Sequence, residues 1–113
     1  MVIWSEEAES DLMDILYALV TWKKHKPLTL EAADFYIEDI REAGGSICTL
    51  SYHQNATYAS HRVYGTKVYR YRRNASTMWY LIYDWDEINS VAYVNKIMSN
   101  HLTADNERVM NPN

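Results

Sequence analysis

The sequence predicts an α+β domain with the element order β-α-α-β-β-β, in which a two-helix antiparallel hairpin packs on one face of a small, mainly antiparallel sheet. Three observations lead there. Apolar residues recur at helical spacing through the first 43 positions, the period shifts toward alternation from Lys67 onward, and short turn sequences divide the remainder into three β-rich runs. At 113 residues the chain suits one domain, since two halves would each be too small to bury much core.

Val2-Ile3-Trp4 reads as a short strand. Ser5 fits an N-cap, and Glu6, Glu7 and Glu9 place negative charge at the positive end of a helix. Ala8, Leu12, Ile15, Leu16, Leu19 and Val20 form its apolar stripe, and Lys23, Lys24, Lys26 and Pro27 mark its end, giving a first helix of about 5–24. Thr29 caps a second helix of about 30–43, with Ala33, Tyr36, Ile37 and Ile40 on its apolar side and Gly44-Gly45 closing it. A short loop between two helices implies an antiparallel hairpin. Residues 46–66 read mostly as loop.

Lys67–Arg73 and Thr77–Asp84 are β-rich runs around the turn Asn74-Ala-Ser76, and Ser90–Ile97 follows a second turn region. Met78–Tyr83 is apolar at both parities, as expected of a central strand covered on both sides. Residues 1–102 thus form the expected domain, and the polar residues 103–113 an expected frayed tail.

Charge is unevenly placed. Residues 1–42 carry ten acids and four bases, residues 43–83 five bases and no acid, and residues 84–113 five acids and two bases. The total of −4 therefore conceals a cationic segment made by Arg62, Lys67, Arg70, Arg72 and Arg73, which suits an anionic partner. One cysteine, Cys48, excludes an internal disulfide and suits a reducing compartment. No apolar run approaches the roughly 20 residues a membrane span needs, and the acidic start is unlike a signal peptide, so a cytoplasmic protein is expected. Asn55 and Asn74 then match the glycosylation pattern by chance.

The opening Ile3-Trp4-Ser5 with Ala8, Asp11-Leu12 and Ile15, the helix Leu30–Ala43, the run Tyr69-Arg70 to Arg73 followed by Trp79-Tyr80-Leu-Ile-Tyr83, and Val91–Ile97 leading into Ser99-Asn100-His101 resemble, in that order, the RelE/ParE toxin superfamily. The likeness spans residues 2–102. It implies the toxin of a type II toxin–antitoxin (plasmid stabilization) module, bound by an antitoxin. Two activities follow from the family: cleavage of messenger RNA on the ribosome, or inhibition of DNA gyrase without catalysis. An inactive relative that only binds an antitoxin is a third reading, and the sequence leaves dimerisation open.

RNA cleavage by the adjacent 2′-hydroxyl needs a base, an acid and cations for the charged phosphorane, with no metal. Strand alternation puts Arg70 and Arg72 on one face, about 7 Å apart, where two guanidiniums can clamp a phosphate. The competing explanation is a charged edge strand that resists aggregation. The resemblance places the family's arginine at Arg70 or Arg72 and its acid/base residue at His101, so these three are the expected catalytic groups. Arg62, Lys67, Arg73 and Tyr71 are the expected nucleic-acid contacts. His53 and His61 are weaker candidates, and Tyr80 and Tyr83 are expected in the core rather than stacked on bases. Four histidines without ligand spacing imply no metal site, and no cofactor is expected. An acidic antitoxin segment laid over Arg62, Lys67, Arg70 and Arg72 would neutralise the patch.

Overall fold

The structure is a computed structural model and describes residues 1–22 and 26–100. It is α+β, in the expected order: β1 (Val2–Trp4), α1 (Glu6–Thr21), α2 (Leu30–Gly45), a 3-10 turn (Ile47–Thr49), α3 (Ala59–Arg62), β2 (Lys67–Arg72), β3 (Met78–Asp86) and β4 (Val91–Ser99). The four strands lie in the order β1-β4-β3-β2; β1 runs parallel to β4 and the other pairs are antiparallel.

Both helices begin as their caps dictate. The Ser5 hydroxyl accepts from the Ala8 N–H, and the Thr29 hydroxyl from the Ala32 N–H. Ala8, Leu12, Ile15 and Leu19 of α1, with Ala33 and Ile40 of α2, meet Trp79, Leu81, Tyr83, Ala92, Val94 and Ile97 of the sheet in one core. Three polar links tie the helices to each other and to the sheet. Arg41 grips Glu9 with two bonds, of 3.0 and 2.6 Å, across the hairpin. Asp11 accepts from Lys96 Nζ (3.0 Å) and from the Ile97 N–H (2.9 Å), capping a β4 amide beyond the end of the short β1. On the other flank Arg73 pairs with Asp39 and lies over the Tyr36 ring.

The second face of the sheet is covered in its middle by the segment leading into and out of α3. Ala56, His61, Val68, Ile82 and Met98 are buried there, outside the helical core. β4 bulges opposite the Ile82–Tyr83 step. The extra residue, Asn95, donates to Tyr64 C=O and to Asp84, tying the covering segment to the sheet.

Several boundaries differ from expectation. α1 ends at Thr21 because Trp22 turns to an extended conformation; Lys23 and Lys24 lie outside the described residues, so the expected end at 24 is corrected to 21. Gly44 and Gly45 do not terminate α2 by a left-handed cap: both are inside the helix, no glycine has positive φ, and Ser46 caps through its N–H and its hydroxyl on Ala43 C=O. Gly44 is needed for space instead, since a Cβ there would stand 2.4 Å from the Trp4 ring. Residues 46–66, expected mostly as loop, contain the 3-10 turn and α3.

Candidate functional site

The site is built on β2. Lys67, Tyr69 and Tyr71 fall at one parity, and Tyr69 and Tyr71 pack against the helical core. Val68, Arg70 and Arg72 fall at the other, so the two arginines stand on the face away from the helical hairpin. Both are exposed. Among the described residues neither they nor Arg62 has a carboxylate partner; Arg72 donates only to Ala75 C=O, at 3.2 Å.

Aromatic rings extend this surface. Tyr80 is the register partner of Arg70 on β3. Its ring lies 4.7 Å from that of His61 and 6.3 Å from that of Tyr58, so α3 stands on the same sheet face as the arginines. His61 is enclosed between the two tyrosines and is 1% exposed. Its burial places it in the packing of α3, whereas Tyr58 is 45% exposed at the rim. Arg62 follows His61 and is exposed. The arrangement is a cationic strip beside an aromatic rim, able to hold phosphates by charge-assisted bonds and to offer ring faces to bases.

A comparison with protein-family models, curated proteins and solved structures returns no match. The site's chemistry therefore rests on its own geometry.

The other expected residues are placed as follows. Arg73 is not with Arg70 and Arg72: it turns to the helix side, where Asp39, Tyr36 and the Tyr71 hydroxyl hold it. Tyr71 is half-buried against the core and Lys67 donates to Asn55 Oδ1 at 2.6 Å. Tyr83 is fully buried, as expected of core, and Tyr80 is half-buried. His101 lies outside the described residues. Cys48 is half-buried, with its thiol 3.1 Å from Met1 C=O. Among the described residues no group of His, Cys, Asp and Glu could hold a metal ion, and no helix is long and apolar enough to cross a membrane.

One cluster has no counterpart in the sequence reading. His53 Nδ1 is 2.7 Å from the Tyr83 hydroxyl, and the imidazole stacks on the Trp85 indole at 4.0 Å. Burial pushes the Tyr83 phenol up to about 12, helped by nearby Cys48 and Tyr69. Desolvation, and then the charge of Lys67, hold the His53 pKa below the usual histidine value. Both groups are thus neutral near pH 7, and the pair acts as a pin between the 50–56 segment and β3. Thirty positions separate the partners, so no local spacing could reveal it.

Proposed function

We propose that this chain is a toxin of the RelE/ParE type, the toxic half of a type II toxin–antitoxin pair, acting in the bacterial cytoplasm by metal-independent cleavage of messenger RNA. The observation that carries this reading is the pair Arg70 and Arg72, adjacent on the exposed sheet face with their charge unanswered by any carboxylate among the described residues. Two guanidiniums at that spacing suit the equatorial oxygens of a phosphorane, whose charge develops during attack by the 2′-hydroxyl. The helical hairpin on the opposite face leaves the strip open to a polynucleotide. His101 remains the group proposed for proton transfer, by resemblance. An acidic antitoxin laid over Arg62, Arg70 and Arg72 would block the same strip.

A second reading, inhibition of DNA gyrase by binding alone, is favoured by a specific observation. The total charge is −4, although cleavage of a polyanion is better served by a cationic protein. Induction in a bacterial host separates the two. Growth arrest with new transcript ends, absent for the double variant R70A/R72A, is the expected result. Arrest with broken DNA and intact transcripts would favour gyrase, and normal growth despite abundant folded protein would contradict both.

A further inference from the structure

β2 is an edge strand, and hydrogen-bond parity determines which of its backbone groups point out of the sheet. The Val68 N–H donates outward to Gln54 C=O at 2.9 Å, and the Thr66 C=O accepts from the Ala56 N–H at 2.8 Å. Outward and inward residues alternate along a strand. Arg70 and Arg72 therefore also present N–H and C=O outward, while Tyr69 and Tyr71 bond toward β3. The inward bond from the Arg73 N–H to Thr77 C=O, 3.0 Å, agrees. Residues 54–56 cover only the start of this edge, through the Asn55–Lys67 bridge. Beyond it the backbone groups of Arg70 and Arg72 have no backbone partner among the described residues.

We propose that this edge accepts an acidic extended peptide from a protein partner, added antiparallel beside β2 as residues 54–56 already are. Main-chain bonds to Arg70 and Arg72 supply affinity, and the alternation of side chains sets the sequence that fits. Positions on the Arg70/Arg72 face take Asp or Glu. Positions between them lie beside the half-buried Tyr69 and Tyr71 and take apolar residues. The fitting peptide thus alternates acidic and apolar residues over about six positions. The inference needs only the open edge and its charges; where the toxin reading holds, the peptide belongs to the antitoxin. If the arginines serve only to discourage strand pairing, no such selectivity exists.

The full chain, titrated with a synthetic peptide of about six alternating Asp and Val residues, gives the test. Amide exchange at Arg70 and Arg72 is expected to slow by about tenfold or more, with Val68 little changed because it is already bonded. Two control peptides are expected to bind about tenfold more weakly: one of equal composition with its acids contiguous, and one N-methylated on the amides that would face β2. Equal affinity for all three peptides would overturn strand addition in favour of charge alone. A single-stranded RNA that binds, while the alternating peptide leaves both amides exchanging freely, would assign the surface to nucleic acid and overturn it as well. Neither outcome depends on growth arrest, so failure here is distinct from failure of the toxin reading.

Discussion

His53 and Tyr83 show how one contact sets a pH window. The His53 pKa is depressed in the fold, so the unfolded chain binds the extra proton more readily. The stability this group contributes is present above its ordinary value near 6.5 and is lost as pH falls through the depressed one. Tyr83 acts at the opposite limit: raised to about 12, it contributes stability that disappears as pH rises from about 10 through that value. Replacing Lys67 by Ala removes a cation that opposes protonation, so the His53 midpoint, followed by NMR, should rise toward the ordinary value. An unchanged midpoint would mean that desolvation alone sets it. Tyr83→Phe keeps the ring but deletes the bond to Nδ1, and is expected to cost about 1 kcal/mol of unfolding free energy in denaturant titrations. At this scale alternation along β2 was enough to read the side on which Arg70 and Arg72 stand. The same alternation turns Arg73, named as a nucleic-acid contact, to the other face; it could not reveal that Asp39 and Tyr36 hold it there, because those partners lie on another element.

Elements were legible where a full period of apolar residues fits inside them. α1, α2 and the three β runs each offer one, and the neighbours β2-β3-β4 follow from the short turns joining them, whereas the parallel pairing of β1 with β4 has no local signal. α3 spans four residues, little more than one turn, and leaves no periodic trace. Gly44-Gly45 resembles a terminator because glycine after a helix normally signals a left-handed cap, whereas here neither has positive φ and both lie inside α2. Their roles are opposite and so are the expected effects of alanine. At Gly44 a methyl would meet the Trp4 ring at 2.4 Å and is expected to cost about 1–3 kcal/mol. At Gly45 nothing lies within 4 Å, and alanine is expected to stabilise the chain by roughly 0.5–1 kcal/mol through lower unfolded-state entropy. Thermal melts of the two variants should move in opposite directions. Asp11→Ala tests the link between α1 and β4. It uncovers the Ile97 amide and leaves Lys96 only the longer contact with Glu7, at 3.3 Å, with an expected loss of about 1–3 kcal/mol in the same assay.

Across the whole molecule the sheet separates two kinds of surface. The helical layer contributes Glu6, Glu7, Asp14, Glu31, Asp34, Glu38 and Glu42 as exposed acids. The opposite face presents Arg62, Arg70 and Arg72. The segregation was visible in the sequence as an acid-free stretch from 43 to 83, but of its five bases only Arg62, Arg70 and Arg72 stand on this face, Arg73 and Lys67 falling at the helix-side parity. The total charge would suggest a protein that avoids polyanions, but association responds to the local field, screened over about 8–10 Å at ordinary salt. Binding of single-stranded RNA tests the central claim most directly, using two variants that each remove two positive charges. R70A/R72A should abolish salt-sensitive binding, while R41A/R73A, which removes guanidiniums already engaged by Glu9 and Asp39, should retain it with a folded far-ultraviolet spectrum. Equal losses in the two variants, or no binding by the unaltered chain, would contradict the assignment of function to this face.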